Sequence, residues 1–307
     1  MAHSARETVV PVRAPFRLDL TANVLRRLSS NVVDVFDGTT YRRLIGDPRR
    51  PVLLEVRQTG TAVLTVTLTG SAADRYDATT VVERLLGTAA DLRGFTRAAA
   101  SVPWLAPLAA GARGVKPPRY PTLWETCVNA IVYQQVSIHA AGAILRRVIE
   151  RYGRPQAVAG ERIYPFPAAA TLVDADADEL RGLGLSINKV VALRRVGRAI
   201  LDGELDEAGL DTLPTPELSA ALVTHRGIGP WTAAVIALRG FGRLDTFPMN
   251  DSGVAKSIRD LTKQPDVDVD ALLATLGEQR GMLYYHLLLG RLAARGEVEL
   301  AATGVGS

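Results

Sequence analysis

Two stretches of this chain carry residue types whose spacing suits chemistry. Arg226-Gly227-Ile228-Gly229-Pro230-Trp231-Thr232-Ala233 reads as helix, tight Gly-x-Gly turn, helix. Upstream, Pro216 to Thr224 places Leu218, Ala221 and Leu222 at helical spacing. Gly227 and Gly229 permit positive φ and close backbone approach. Pro230 suits the first turn of a new helix, where its missing N–H costs nothing. Ala233, Ala234, Ile236, Ala237 and Leu238 continue that helix. Its N-terminus offers free N–H groups and a partial positive charge, which suits a phosphate. Taken alone, such a turn is an ordinary corner between helices. The second stretch, Thr246-Phe247-Pro248-Met249-Asn250, is a loop that ends at Asp251, ahead of a helical run from Ser252 to Leu261. By spacing alone Asp251 is a helix N-cap. Together they offer a phosphate clamp and one carboxylate close by in sequence.

The elements that must position these residues fall into two parts. Pro51 to Arg57 and Thr61 to Thr69 are rich in Val, Leu and Thr, and Gln58-Thr59-Gly60 between them reads as the turn of a β-hairpin. Phe16 to Leu20 and Thr39 to Leu44 are weaker strands, and helices fit Thr21 to Ser29 and Ala78 to Leu86. Prolines at 103, 107, 117 and 118 mark Ser101 to Tyr120 as a connector. From Pro121 the chain is almost all helix, broken by a loop from Glu161 to Ala168 and a link between two lobes from Asp202 to Pro216. The expected fold class is α+β. Residues 1–105 form an N-terminal antiparallel sheet domain with helices. Residues 106–302 form an all-α core of two lobes with a hairpin at 217–240. Residues 303–307 form a disordered tail.

Composition narrows the function classes. The chain has 307 residues, 47% hydrophobic and 22% charged, which is globular rather than disordered. A net charge of +4 favours a polyanion partner without naming one. Cys127 is the only cysteine, which excludes a disulfide framework and a cysteine-only metal or iron–sulfur site. No apolar run has membrane length, and Met1 to Arg13 lacks the apolar core of a signal peptide. The expectation is a soluble cytoplasmic protein, associated with the nucleoid in a bacterium.

The motifs resemble those of a known family. Gly-Ile-Gly-Pro-Trp-Thr-Ala, Ala237-Leu238-Arg239-Gly240 and Asp245-Thr246-Phe247-Pro248-Met249-Asn250-Asp251 are similar to the helix-hairpin-helix (HhH-GPD) DNA glycosylase superfamily, and within it to the DNA-3-methyladenine glycosylase II type. Asn129-Ala130-Ile131-Val132-Tyr133-Gln134-Gln135-Val136-Ser137 looks like the family's helix–Gln–helix segment, and Leu183-Gly184-Leu185-Ser186 with Lys189 and Ala192 like its next connector. The similarity covers about residues 120 to 295.

The resemblance implies roles. Asp251 falls on the catalytic acid. A carboxylate at a helix N-terminus is favoured in its ionised form, and an ionised acid suits an oxocarbenium-like sugar as its base departs. Trp231 stands where backbone-cleaving relatives carry a Schiff-base Lys, so the resemblance implies a monofunctional enzyme that uses water. Gln134 and Gln135 lie at the wedge that fills the gap left by an extruded base. In the related type that wedge is apolar. Trp231, Tyr133, Val235, Ser252 and Gly281 fall at the substrate pocket. Val235, Ser252 and Gly281 replace aromatics of the related type. Gly227, Gly229 and Thr232 would hold phosphate. Backbone carbonyls of Val223, His225 and Ile228 would hold Na⁺ or K⁺, with no other cofactor required. The implied partner is duplex DNA containing damaged bases, with no membrane, and the implied state is a monomer. Alkylated purines are the implied substrates. An oxidised or deaminated base, or binding without catalysis, are the alternatives. His286, on the apolar run Met282 to Leu292, and Trp124 read as core. Asp245 reads as surface.

Overall fold

The computed structural model describes residues 5–262 and 267–301. The expected disordered tail lies outside them. Five strands come first: β1 (Ala5–Pro11), β2 (Val35–Phe36), β3 (Thr40–Ile45), β4 (Val52–Gly60) and β5 (Val63–Thr69). They form one antiparallel sheet of order β1-β5-β4-β3-β2. β4 and β5 make the expected hairpin because alternate residues, Val52, Leu54 and Val56 against Leu64, Val66 and Leu68, are buried on one face. Its turn lies at Thr61 and Ala62 rather than at 58–60, since Gln58 pairs in register with Leu64.

Phe16 to Leu20, expected as a strand, instead leads into helix α1 (Leu18–Arg26). The helix is buried on two sides. Leu18, Ala22 and Leu25 face the sheet core, while Leu20 and Val24 face a core of C-terminal helices. A segment apolar on nearly every side has no period to read. Helix α2 (Ala78–Leu86) forms where expected and lays Val82, Leu85 and Leu86 on the sheet. The expected connector holds a short helix, α4 (Ala106–Gly111), preceded by α3 (Arg93–Ala100).

Beyond residue 120 come α5 (Leu123–Val132), α6 (Ile138–Tyr152), α7 (Ala169–Asp174), α8 (Ala177–Gly182), α9 (Ile187–Leu201), α10 (Glu207–Asp211), α11 (Thr215–Val223), α12 (Pro230–Arg239), α13 (Ser252–Thr262), α14 (Val269–Leu276) and α15 (Met282–Ala294). A small hairpin, β6 (Gln156–Val158) with β7 (Glu161–Ile163), stands partly where a loop was expected. α5 to α9, α11 and α12 share one apolar core. α13 to α15 share another with α1, α3 and α4, so this core draws on both sides of residue 105. Among the described residues no helix is long and apolar enough to cross a membrane.

Buried arginines join these parts. Arg43 on β3 pairs with Asp34 and with Glu125 of α5, and all three are nearly sealed from solvent. Arg239, at the end of α12, donates from Nη2 to the Val24 and Leu25 carbonyls at 3.3 and 3.2 Å. It thereby caps the C-terminus of α1, where a cation suits the helix dipole. Its guanidinium also lies over Tyr120 and Tyr285.

Glu125 gives a stability test. Burial raises its carboxyl to about 7, against the opposing pull of Arg43 and with the help of Asp34. A raised folded value means that the folded chain holds this proton more tightly than the unfolded chain. The stabilisation is fully present below the ordinary Glu range and is lost as pH rises through about 7. Urea midpoints of the parent should therefore fall between about pH 5 and pH 8. Glu125→Gln should flatten that slope, and an unchanged slope would contradict the assignment.

Candidate active site

Asp251 is built into two elements at once. Its Oδ1 accepts the N–H groups of Gly253 at 2.8 Å and Val254 at 3.0 Å, which makes it the N-cap of α13. Its Oδ2 accepts the Trp231 indole N–H at 3.1 Å. The preceding residue, Asn250, has φ of 60°, a left-handed conformation that Asn tolerates better than most side chains. That bend ends the loop after α12 and starts α13. Three donors fix the carboxylate in place, and Oδ2 keeps lone pairs free for a cationic sugar or a water.

Trp231 is the second residue of α12. The first bond of that helix runs from the Ala233 N–H to the Gly229 carbonyl at 2.9 Å. The N–H groups of Trp231 and Thr232 precede it and find no backbone acceptor within the helix. The two glycines of the turn differ. Gly227 has φ of 108°, and a Cβ on it would stand 2.6 Å from that of Ala192. Gly229, expected to share the positive φ, has φ of −89° and ψ of 177°, extended backbone open to any residue. A Cβ on Gly229 would meet nothing within 4 Å. The fold needs a glycine at the first position. At the second, glycine leaves open surface beside free N–H groups.

Thr232, expected at a phosphate, turns its side chain inward. Its hydroxyl accepts the Gln134 side-chain amide at 2.7 Å, and the residue is 2% exposed. Only its backbone N–H remains for an anion. The same Gln134 nitrogen donates to the Gly227 carbonyl at 3.1 Å. Gln134, expected at the wedge with Gln135, is thus a brace between α5 and the hairpin turn. Gln135 is exposed, with φ of 56°, and points to no partner among the described residues.

The expected pocket residues separate. Trp231 touches Asp251. Tyr133 instead carries the Arg27 guanidinium 4.4 Å over its ring. Burial raises the Tyr133 hydroxyl to about 12. Val235 is not a pocket wall. It is 1% exposed in the core shared with α5 because its side of α12 faces inward. Gly281 is not one either: a Cβ there would stand 2.6 Å from Leu238 and 2.9 Å from the Thr246 carbonyl, so the chain is close-packed at that point. Ser252 opens α13, and its side chain lies outside the described residues.

Two basic residues that no motif marks lie near these elements: Arg291 stands beside Asp251 at Gly253, and Arg27 holds Tyr284 and Tyr133. Arg27 ends α1, and Arg291 lies on α15. A Cβ on Gly253 would stand 2.5 Å from Arg291 Nη1 and 3.1 Å from Asp251 Oδ1, which puts the two charges on the same small glycine. Burial lowers the Arg291 guanidinium below its ordinary value. Burial also opposes the Arg27 charge, but the surrounding Tyr120, Tyr284, Tyr133 and Asp251 outweigh it and hold that value above the ordinary one. An arginine at a helix end is an unremarkable sequence feature, so nothing local could have singled these out. His286 is the expected core histidine. Its Nδ1 meets the Met282 carbonyl at 2.8 Å, and burial lowers it to about 4. Trp124 is core as expected, donating to the Pro167 carbonyl at 2.9 Å, and Asp245 is an exposed acceptor for Thr215.

Residues 128–275, from α5 to α14, match the family described as HhH-GPD superfamily base excision DNA repair protein. The chain belongs to the HhH-GPD superfamily. It is 31% identical over 260 residues to the Mycobacterium tuberculosis protein named "probable bifunctional transcriptional activator/DNA repair enzyme AlkA", a match covering 82% of this chain and 50% of that protein. It is 34% identical over 146 residues to Escherichia coli DNA-3-methyladenine glycosylase 2, covering 47% and 50%. The chain thus spans about half the length of these curated relatives. The fold matches the structure of a 3-methyladenine DNA glycosylase from Archaeoglobus fulgidus with TM-score 0.75 at 20% identity, over 95% of this chain and 100% of that one.

The glycine contrast is testable. Gly227→Ala should cost about 1–3 kcal/mol of stability, from strained φ and contact with Ala192. Gly229→Val should melt close to the parent, losing at most about 1 kcal/mol as a poorer cap. It should nonetheless weaken binding to lesion and undamaged duplexes alike, since phosphate contacts position a protein without reading sequence. A Gly229→Val protein that binds both duplexes as tightly as the parent would contradict the role of that surface.

Proposed function

We propose that the protein hydrolyses the N-glycosidic bond of alkylated purines of the 3-methyladenine and 7-methylguanine type in duplex DNA, with water as nucleophile. The observation that carries this reading is the Asp251 carboxylate, fixed by the α13 cap and Trp231 with lone pairs to spare. The name of the Escherichia coli relative, DNA-3-methyladenine glycosylase 2, supports the base-excision part of this reading.

The duplex docks by phosphate at Gly229 and the N–H groups of Trp231 and Thr232. Gln135 fills the gap as the damaged base leaves the stack, a step that costs a few kcal/mol. Methylation at N3 or N7 gives the base a positive charge, so it departs neutral and needs little acid catalysis. The C1′–N bond breaks toward the base, and Asp251 stabilises the sugar cation. Water then adds at C1′, leaving an abasic strand. The donor set at the end of α11 suits a Na⁺ or K⁺. The Val223 and Ile228 carbonyls accept no bond beyond their own helical turns among the described residues, and the His225 carbonyl accepts one from the Ile228 N–H at 3.0 Å. Such an ion would bridge the hairpin to a phosphate. The protein acts as a monomer on DNA.

No amine is placed for a Schiff base among the described residues near the motifs. Lys189 donates to the Val132 carbonyl at 2.7 Å. Lys256 is exposed and lies five residues after Asp251, about 140° around the helix from it.

Asp251→Asn should lower single-turnover base release on the order of 10²-fold or more, the scale of one lost electrostatic stabiliser. DNA binding should stay largely intact, because the anion matters only as charge develops. Near-normal turnover by the folded variant would sink the assignment. Borohydride treatment of the parent on a lesion duplex should trap no covalent complex, and gels run without alkali should show intact abasic strands. A trapped complex would reveal a nucleophilic amine and overturn the use of water.

A further inference from the structure

Lys189 stands in the first turn of α9, where the dipole of its own helix disfavours a cation. Its ammonium reaches across to α5 and donates to the Val132 carbonyl at 2.7 Å. Val132 is the last residue of α5, so the charge lies at a helix C-terminus, where it is favoured. Burial lowers the ammonium below its ordinary range. The start of α9 thus carries a partly buried cation whose electrostatic benefit falls to α5.

That bond fixes one end of a strained turn. The chain leaves α5 after Val132 and enters α6 at Ser137. Between them Gln135 has φ of 56°, an uncommon conformation for a residue of this type. Such strain persists where the surroundings over-determine it, and it clusters at functional sites. Two side chains hold the turn. Lys189 grips its α5 end, and Gln134 ties its middle to the Gly227 carbonyl and the Thr232 hydroxyl. Positions 189 and 192 share one face of α9. Ala192 packs on Gly227, where an added Cβ would stand 2.6 Å from that of Ala192. One face of α9 therefore touches both the Gln135 turn and the hairpin turn. It sets the spacing between the exposed Gln135 and the N–H groups that open α12.

We propose that Lys189 is a positioning residue for base extrusion: it holds the Gln135 turn at a set distance from the phosphate-holding hairpin, so that a duplex gripped at the hairpin meets Gln135 at the gap the damaged base leaves. This rests on the glycosylase reading above. Extrusion from a paired site needs both contacts at once, because the pairing and stacking lost must be offset while the base is out. A base with no pairing partner loses less on leaving the stack, so its release depends less on Gln135 and hence on Lys189. Lys189 touches no reacting atom and acts before the C1′–N bond breaks.

The test compares single-turnover release of 7-methylguanine from two duplexes, one with cytosine opposite the lesion and one with an abasic analogue opposite it. Lys189→Met keeps the apolar stem and loses the donor. In it the ratio of paired to unpaired release should fall about 10-fold, the scale of one lost charged hydrogen bond. Lys189→Arg should restore part of that ratio by keeping a charged donor. Affinity for an undamaged duplex should match the parent, because the phosphate contacts themselves are untouched. An unchanged ratio, whether both rates fall together or neither falls, overturns the proposal. A loss of affinity for undamaged duplex as large as the loss of paired release also overturns it, since Lys189 would then be a phosphate contact. A double-mutant cycle checks the route. In a Gln135→Ala background, Lys189→Met should lower the ratio no further, and full additivity would show that Lys189 acts elsewhere. Gln135 is exposed, so Gln135→Ala keeps the fold even if Lys189→Met does not. Alone it should lower the same ratio, and an unchanged ratio there overturns the proposal without any Lys189 variant. Each of these outcomes, in a parent that releases 7-methylguanine from both duplexes, refutes this inference alone. A parent that releases it from neither refutes the glycosylase reading itself.

Discussion

The Asp251 carboxylate is shared between two packed units, and much of the molecule serves to keep that sharing in register. One oxygen belongs to α13, whose Val254 and Ile258 are in the core with α15. The other belongs to Trp231 on α12, whose Ala233, Ile236 and Ala237 are in the core with α5. The bond between them crosses from one core to the other. Any relative movement of the two would lengthen it. The left-handed Asn250, the α12–α1 joint at Arg239 and the Gln134 brace each fix one degree of that freedom.

The joints are mostly guanidinium groups. Arg43 ties the sheet to α5, Arg239 ties the hairpin helix to α1, and Arg27 ties α1 to tyrosines of both cores. Burying such groups is unfavourable unless their protons are met by oxygens or ring faces. Arginine suits the task because its planar fork reaches several carbonyls and stacks on aromatics, which an ammonium does not. The gain is geometric rather than energetic. Each joint accepts one arrangement of its partners, so the sheet and both helical cores meet in one way.

Two kinds of charge meet where these units converge. Asp251 brings one sign and Arg291, which reaches the same Gly253, brings the other, both partly withdrawn from water. Low local dielectric strengthens each of them.

Local pattern was enough for the hairpin of α11 and α12, the α13 cap at Asp251, the β4–β5 pairing and α2. Each of these rests on contacts between residues close in sequence: a proline at a helix start, an acid ahead of an apolar run, alternation along a strand. The same patterns marked residues of the site by type and were silent on what surrounds them. Val235 and Gly281 looked like pocket walls and are packed into cores, since the facing of a helix is set by what it packs against. Gln134 and Gln135 are neighbours of one type, yet one braces the hairpin and the other meets solvent, because the positive φ of Gln135 turns the chain between them. Phe16 to Leu20 went to helix rather than strand because two cores compete for it. Arg291 is 40 residues from Asp251 by number, and only the packing of α13 on α15 places its guanidinium at the same Gly253 as that acid. The sequence by itself determined the turn, the cap and the acid, which are local. The tertiary structure alone decided which charges share the site, because electrostatic influence depends on distance in space and on exclusion of water.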